Sequence, residues 1–155
     1  MHREIERKFL VDALPTPKSP GVPVPVQQGY LARGNGVSEV RLRRQGDEFT
    51  MTIKQGSGLE RLEYETPLTR EQFDVLWPAT DGARVAKQRT AITLPTGVAH
   101  LDVFEGQLAG LITVEVEFED TKAAGEFTPP AWFGREVTGE RGYANQNLCD
   151  SGIPE

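Results

Sequence analysis

The sequence lacks the residues on which several common protein classes depend. It contains one cysteine, Cys149, among 155 residues, which excludes a framework of disulfides within the chain. No stretch approaches the roughly 20 apolar residues that a membrane-spanning helix needs. Met1 is followed directly by charged residues, and no apolar leader is recognisable there. We therefore expect a cytoplasmic protein without a membrane segment.

An excess of basic residues is also missing. The chain has 17 Lys and Arg against 23 Asp and Glu, a net charge of −6. That balance argues against a general binder of nucleic acid or of anionic membranes, although it leaves room for a local basic pocket. The length suits one domain with a sizeable core. Because no internal repeat is visible, we predict a single domain over residues 1–155.

The first predicted strand, residues 4–11, carries a charged face. Side chains alternate between the two faces of a strand, so Glu4, Glu6 and Lys8 share one face and Ile5 lies on the other. Two neighbouring carboxylates repel each other and stay ionised only if cations or donors compensate. A divalent metal would do so, with Lys8 available to a bound anion. A solvated strand face with mixed charges is the alternative.

The rest of the sequence is rich in short alternating segments separated by turns. Eight strands are predicted, over residues 4–11, 27–32, 38–45, 48–55, 59–66, 85–94, 98–105 and 111–120. A turn is expected at residues 34–36 and an extended proline-rich loop at 14–25. A capping box at Thr69–Gln72 predicts one clear helix, and shorter helical segments are expected near 122–126, 129–133 and 141–149. This is a β-rich α+β fold, an antiparallel closed barrel with a few short helices.

Charged residues recur on one face of almost every predicted strand. The set comprises Glu4, Glu6, Lys8, Arg41, Arg43, Lys54, Arg61, Glu63, Glu65, Lys87, Arg89, Asp102, Glu115 and Glu117. This face can be solvated, as surface charge usually is, or it can line a tunnel. Same-sign pairs within single strands favour the tunnel, because solvated faces usually mix signs. Acid pairs suit Mg²⁺ or Mn²⁺ and basic pairs suit phosphate oxygens, the combination that metal-assisted phosphoryl chemistry requires.

The opening Glu4-x-Glu6-x-Lys8 resembles the ExExK signature of the CYTH superfamily, the triphosphate tunnel metalloenzymes. Further segments resemble the family in the same order along the chain. They are Gln28-Gly29-Tyr30-Leu31, Val40-Arg41-Leu42-Arg43, Thr52-Ile53-Lys54, Arg61-x-Glu63-x-Glu65, Lys87-x-Arg89, Asp102-Val103-Phe104, Val114-Glu115-Val116-Glu117, and two C-terminal segments within residues 130–148. The resemblance covers nearly the whole chain, and the proline-rich stretch at 14–25 departs from it.

The resemblance implies a tunnel enzyme that acts on triphosphates with Mg²⁺ or Mn²⁺. It assigns metal binding to Glu4, Glu6, Glu115 and Glu117, with Glu63 and Asp102 holding a second metal or the attacking water. It assigns phosphate binding to Lys8, Arg41, Arg43, Lys54, Lys87 and Arg89, with Arg61 in second rank. Lys8 and its family partner Tyr30 are candidates for activating water, and the alternative is that Lys8 binds only phosphate.

Hydrolysis of inorganic triphosphate to pyrophosphate and phosphate is the expected activity. The alternatives are a nucleoside or thiamine triphosphatase, a class IV adenylate cyclase, and a polyphosphate- or nucleotide-binding module without turnover. The expected partner is a small triphosphate. Because the predicted helices look too small to cover the apolar outer faces of the strands, a homodimer is also expected.

Overall fold

A computed structural model of the chain describes residues 1–16, 21–33 and 38–155. Its eight strands form one closed barrel in the order β1-β5-β4-β3-β2-β6-β7-β8, and every neighbouring pair is antiparallel. The predicted eight-stranded closed barrel is therefore confirmed. The strands are β1 His2–Leu10, β2 Val24–Ala32, β3 Ser38–Gln45, β4 Glu48–Gln55, β5 Glu60–Pro67, β6 Arg84–Leu94, β7 Gly97–Phe104 and β8 Ile112–Phe118.

Three short α-helices accompany the barrel. They are α1 Arg70–Leu76, α2 Thr121–Glu126 and α3 Asn145–Ser151, with 3₁₀ turns at Trp77–Thr80, Gly106–Leu108 and Arg141–Tyr143. The predicted capping box is present: the Gln72 amide donates to the Thr69 hydroxyl at 3.1 Å, and the Thr69 amide donates to the Gln72 side chain at 2.9 Å. No helix of the described chain is both long and apolar enough to cross a membrane.

The apolar side of β3 and β4 packs against the helical segment that follows β5. Leu42 and Phe49 form a core cluster with Phe73 of α1. The rings of Phe49 and Phe73 lie 5.0 Å apart, and Trp77 stacks on Phe73 at the same distance. This packing places the apolar side chains of β3 and β4 on the outside of the barrel. The side chains that alternate with them therefore point into the barrel.

A second apolar cover lies over β1, β7 and β8. Phe9, Val114 and Val116 are buried there, and Phe133 packs on Phe9 with ring centroids 5.0 Å apart. Phe127 of the same C-terminal stretch contacts Phe118 at 5.2 Å. The chain thus covers by itself much of the apolar surface on which the homodimer prediction was based.

The C-terminal stretch also pairs with β1. Strand β5 reaches β1 only as far as Ile5, which lies opposite Glu60. Beyond that point residues 134–138 take over: the Gly134 amide donates to the Leu10 carbonyl at 2.7 Å, and the Val137 amide donates to the Lys8 carbonyl at 2.8 Å. The backbone groups of β1 that β5 does not reach are therefore satisfied by this segment, which then continues into the end of the barrel.

Two local expectations were wrong. Pro25 lies within β2, opposite Gln88 of β6, and not in a surface loop. Its nitrogen faces the side of β3, but β3 ends opposite Val26, so no ladder hydrogen bond is lost there. Residues 129–133 form a turn closed by the Phe133 amide on the Pro130 carbonyl at 3.0 Å, and the chain then becomes extended to pair with β1. The turn predicted at 34–36 and part of the 14–25 loop lie outside the described residues.

Candidate active site

The barrel encloses a charged cavity of about 390 Å³. Thirteen of the residues singled out from the sequence line it: Glu4, Glu6, Lys8, Tyr30, Arg41, Arg43, Lys54, Arg61, Glu63, Glu65, Arg89, Glu115 and Glu117. The charged interior is therefore present, and the charged strand faces point into the barrel. Lys87 and Asp102 share the inward face of Arg89, which lies opposite Asp102, but they do not line the cavity; they are buried inside the barrel, at 1% and 0% exposure.

Most of the cationic side chains in the cavity are held by carboxylates. Lys54 donates to both oxygens of Glu4 at 2.8 Å and lies 3.5 Å from Glu63. Lys8 lies 3.4 Å from Glu115, and its ammonium also donates to the Tyr143 carbonyl at 2.8 Å. Two of these pairs follow from cross-strand register, since Glu63 is opposite Lys54 and Glu115 is opposite Lys8.

Asp102 is the centre of a buried ionic cluster. Its carboxylate accepts from Lys87 at 2.7 Å and from two nitrogens of Arg89, each at 2.7 Å. Arg89 also donates to Glu115 at 3.1 Å. Burial opposes the charge on Asp102, but Lys87 and Arg89 outweigh it and lower the pKa of Asp102. Burial, with Arg89 adding to it, lowers the pKa of Lys87 to about 7 although Asp102 counteracts this shift.

Arg41 and Arg43 stand apart from the other cations. Arg43 donates through Nε and Nη2 to the side-chain oxygen of Gln28, at 3.1 and 2.8 Å. Arg41 donates to the Thr52 hydroxyl at 3.4 Å, and its buried Nε has no partner. Within the described chain, no ion pair holds either arginine. Burial and the neighbouring Arg41 and Arg89 lower the pKa of Arg43 to about 9, so it carries a full positive charge at neutral pH.

Glu6 is the acidic counterpart of these arginines. It lines the cavity and has neither a hydrogen bond from its side chain nor an ion pair to any described residue. Glu117 lies directly opposite it on β8, a like-charge pairing that is unfavourable between strands. Burial and the charge of Glu115 raise the pKa of Glu6 to about 7. The cavity thus has a cationic pole at Arg41 and Arg43 and an anionic pole at Glu6.

A hard divalent cation fits the anionic pole. Carboxylate oxygens are the ligands that Mg²⁺ and Mn²⁺ prefer, and Glu6 is a half-buried acid with no ion pair to a described residue. Among residues 1–16, 21–33 and 38–155, however, no three acidic, His or Cys side chains are gathered into a ready ligand group. The reason is visible in the pairs already described, since Glu4 and Glu115 are turned towards lysine and arginine.

The side chains of Lys8 and Tyr30, predicted to act as partners, form no hydrogen bond with each other in the described structure. Lys8 is hydrogen-bonded to the Tyr143 carbonyl, whereas the Tyr30 hydroxyl accepts from the Gln28 amide at 3.4 Å. Burial, the largest influence, raises the pKa of Tyr30, so its phenol is neutral. The two side chains line the same cavity, but the described hydrogen bonds do not join them.

Two sets of lining residues were missed from the sequence. Glu39 lines the cavity and lies 3.5 Å from Arg61; strand alternation places it on the face of Arg41, so the signal was available. The stretch 137–147 also lines the cavity. The position of that stretch follows from backbone pairing with β1, which leaves no pattern in the side chains.

Comparison with known proteins agrees with this geometry. The CYTH domain model matches residues 2–143. An inorganic triphosphatase from Nitrosomonas europaea is 49% identical over 147 residues, which cover 94% of this chain and 96% of the relative. One from Acetivibrio thermocellus is 36% identical, with 96% and 94% covered. A crystal structure of an inorganic triphosphatase superposes with a TM-score of 0.71 at 47% identity, covering 100% of this chain and 99% of the other. The chain therefore belongs to the CYTH domain family.

Proposed function

We propose that this chain is a hydrolase that cleaves inorganic triphosphate to pyrophosphate and phosphate inside its barrel. The main support from the structure is the pair of uncompensated arginines, Arg41 and Arg43, in the same cavity as the uncompensated Glu6. A polyanion that arrives with a divalent cation would satisfy both poles. Further support comes from the two relatives named inorganic triphosphatase, which match this chain over almost its whole length.

Arg41 and Arg43 are proposed to bind phosphate oxygens. A guanidinium presents several donors in one plane and matches two oxygens of a phosphate. The Arg41 Nε has no partner although it is buried, so a phosphate oxygen would supply the missing acceptor. The other predicted phosphate ligands are already paired with carboxylates, which each would have to share with phosphate or exchange for it. These residues are Lys8, Lys54, Arg61, Lys87 and Arg89.

The proposed metal ligands are Glu6, Glu115 and Glu117, with Glu4. Bound Mg²⁺ or Mn²⁺ would neutralise charge on the phosphate oxygens and so favour attack at phosphorus. Lys54 donates to both oxygens of Glu4 at 2.8 Å, so a metal would share that carboxylate with the lysine. Glu63 lies 3.5 Å from the same lysine and is a candidate second-metal ligand or acceptor of a proton from water. Asp102 fits a metal site less well, because three donors already occupy its oxygens.

The hydrolysis itself requires little covalent chemistry from the protein. Water forms a bond to a terminal phosphorus and loses a proton, for which Glu63 is the candidate acceptor. The phosphoanhydride bond breaks, and its electron pair leaves with pyrophosphate. The arginines and lysines stabilise the charge that develops on the oxygens. Lys8 donates to a carbonyl and lies beside a carboxylate; these contacts support the alternative in which it holds phosphate rather than serving as base.

A substrate panel tests this function. Phosphate release would be measured from tripolyphosphate, ATP and thiamine triphosphate with Mg²⁺, Mn²⁺ or EDTA, and cyclic AMP would be assayed in parallel. We expect metal-dependent release that is fastest with tripolyphosphate. Cyclic AMP as the main product would contradict the proposal, and equal turnover of ATP would contradict the selectivity. Binding of tripolyphosphate without any release would indicate a binding module.

Assembly and location are separate proposals. The homodimer stays a prediction. Less apolar surface is left for a second subunit to cover, because residues 127–133 pack over β1, β7 and β8. Sedimentation at several concentrations tests it, and a monomer throughout would contradict it. Location in the cytoplasm is likewise still a prediction, which cell fractionation tests.

A further inference from the structure

Gln28 is buried completely, at 0% exposure, on the inward face of β2. It lies directly opposite Arg43 of β3 in the strand register. Its side-chain oxygen accepts two hydrogen bonds from that guanidinium, 3.1 Å from Nε and 2.8 Å from Nη2. Its amide nitrogen donates to the Tyr30 hydroxyl at 3.4 Å, and because a guanidinium can only donate, the oxygen end of the amide faces Arg43. The two side chains are thus held in one orientation.

Apart from Arg41, which donates to the Thr52 hydroxyl, the other cations of the cavity are held differently. Lys54 is held by Glu4, Arg61 by Glu39 and Arg89 by Asp102, and in each case a carboxylate cancels much of the positive charge. A carboxylate at the position of Gln28 would also reach Arg43 and would bind it more strongly. The amide orients the guanidinium with the same fork of hydrogen bonds but leaves its charge uncancelled.

The neutral side chain of Gln28 makes the free protein less stable than an acidic side chain at the same position would. Arg43 is surrounded by the positive charges of Arg41 and Arg89, which, together with burial, lower its pKa to about 9. A glutamate in place of Gln28 would relieve that repulsion. The neutral side chain is therefore the less stabilising choice for the free protein and the better choice for binding an anion.

We propose that Gln28 is a positioning residue that orients Arg43 towards the triphosphate while leaving the full charge of Arg43 available to it. This inference rests on the proposed function, because it takes the triphosphate as the anion. It distinguishes orientation, which any acceptor at this position supplies, from charge, which only a neutral acceptor preserves. The two substitutions Gln28→Glu and Gln28→Met separate these contributions.

Gln28→Glu keeps the shape and the acceptor but adds a negative charge. We expect affinity for tripolyphosphate to fall about tenfold or more, because the charge-assisted hydrogen bonds from the half-buried Arg43 to phosphate oxygens are weakened. The unfolding temperature should stay equal or rise. Gln28→Met removes the acceptor and leaves the Arg43 donors unpaired, so both affinity and the unfolding temperature should fall.

The experiment measures binding of tripolyphosphate by calorimetry in EDTA, the KM and kcat for its hydrolysis with Mg²⁺, and thermal unfolding. The matched control is Gln27→Glu, which adds the same charge on the same strand at an exposed position and should leave all three quantities near those of the wild type. For Gln28→Glu we expect a higher KM and a smaller change in kcat. A variant that is more stable but binds tripolyphosphate more weakly is a result that a merely structural role would not give.

The outcomes separate this inference from the proposed function. If the wild type hydrolyses tripolyphosphate and Gln28→Glu binds it equally well, the role of charge is wrong. Unchanged binding by Gln28→Met would show that the orienting role is wrong. Binding without hydrolysis in the wild type, with the expected loss in Gln28→Glu, would contradict the proposed function and support the inference. A wild type that neither binds nor hydrolyses tripolyphosphate would contradict both.

Discussion

The ammonium nitrogen of Lys87 lies 2.7 Å from a carboxylate oxygen of Asp102, and neither side chain reaches solvent. Arg89 shares the same carboxylate, so one aspartate compensates two buried cations. Because Arg89 lines the cavity and also reaches Glu115, this buried pair sets the position of one cation of the cavity wall.

Replacement of Asp102 by asparagine should destabilise the fold strongly. Lys87 and Arg89 would lose their shared negative partner, and breaking a buried ion pair on one side costs about 3–5 kcal/mol. Chemical denaturation measures this loss. Calorimetry of Mn²⁺ binding without substrate should show affinity within about threefold of the wild type, because donors surround the oxygens of Asp102.

Asp74→Asn on the exposed face of α1 is the control for the loss of one negative charge and should behave like the wild type. If Asp102→Asn is folded and stable but has lost its affinity for Mn²⁺, Asp102 is a metal ligand and its role as the partner of Lys87 and Arg89 is secondary.

Glu6 should make the stability of the metal-free protein depend on pH. Its pKa is raised from 4.5 to about 7 in the folded protein, so the folded state binds more protons than the unfolded state between these values. Stability contributed by Glu6 is therefore present below about pH 4.5 and is lost as pH rises through 7. Glu6→Gln should remove this dependence and be the more stable protein above pH 7, by at most about 3 kcal/mol.

Thermal unfolding in EDTA from pH 5 to 8 measures the difference between Glu6→Gln and the wild type. Added Mg²⁺ or Mn²⁺ should stabilise the wild type and have much less effect on the variant, since the metal favours the ionised carboxylate. The exposed Glu119→Gln serves as control. A difference between Glu6→Gln and wild type that does not change with pH would show that Glu6 is already compensated.

Arg43 should illustrate a conflict between stability and binding. Arg43→Gln removes a half-buried charge that is close to Arg41 and Arg89 and has no acid partner among the described residues. We expect the free energy of unfolding to change by less than about 1 kcal/mol, whereas KM for tripolyphosphate should rise about tenfold to a hundredfold. Steady-state kinetics and denaturation measure the two quantities.

Arg44→Gln is the matched control, because Arg44 is the next residue of β3, points outside the barrel and lies over the Phe49 ring at 5.7 Å. It should lose a little stability and keep its KM. The proposed phosphate role of Arg43 would be rejected if both variants had the same KM.

The period of two along the strands explains why so much of the cavity was predictable. Once Leu42 is assigned to the outside, Arg41 and Arg43 must point inward, and the same holds for Glu4 and Glu6 around Ile5. The hairpin register of β3 and β4 followed from the short turn after Gln45.

The pairings across the barrel were not predictable in the same way. Lys54 meets Glu4 across 50 positions of sequence, a contact that depends on the stagger of the closed sheet, and no local pattern reports it. The difference between Arg43, held by an amide, and Arg89, held by an acid, also requires knowing which residue lies opposite. Similarly, the C-terminal stretch enters the site through backbone hydrogen bonds, which do not show in the alternation of side chains.

Gly134 tests how much the C-terminal stretch contributes. A methyl group added there would lie 2.7 Å from the Leu10 carbonyl oxygen and 3.3 Å from its carbon, both backbone atoms of β1. The Gly134 amide donates to the same carbonyl at 2.7 Å, so the two segments cannot separate without losing that bond. Gly134→Ala should therefore lower the free energy of unfolding by about 2 kcal/mol or more.

The same substitution should also impair catalysis, because the stretch beyond Gly134 brings the Tyr143 carbonyl to Lys8 at 2.8 Å. Denaturation measures the stability, and KM for tripolyphosphate below the unfolding temperature reports the site. Gly125→Ala in α2 is the control: nothing lies within 4 Å of the added methyl, and alanine favours a helix over glycine by up to about 1 kcal/mol, so this variant should be as stable as the wild type or more so. If Gly134→Ala matched Gly125→Ala in both measurements, residues 134–138 would not be held against β1 in solution, and the end of the cavity would be open to larger triphosphates.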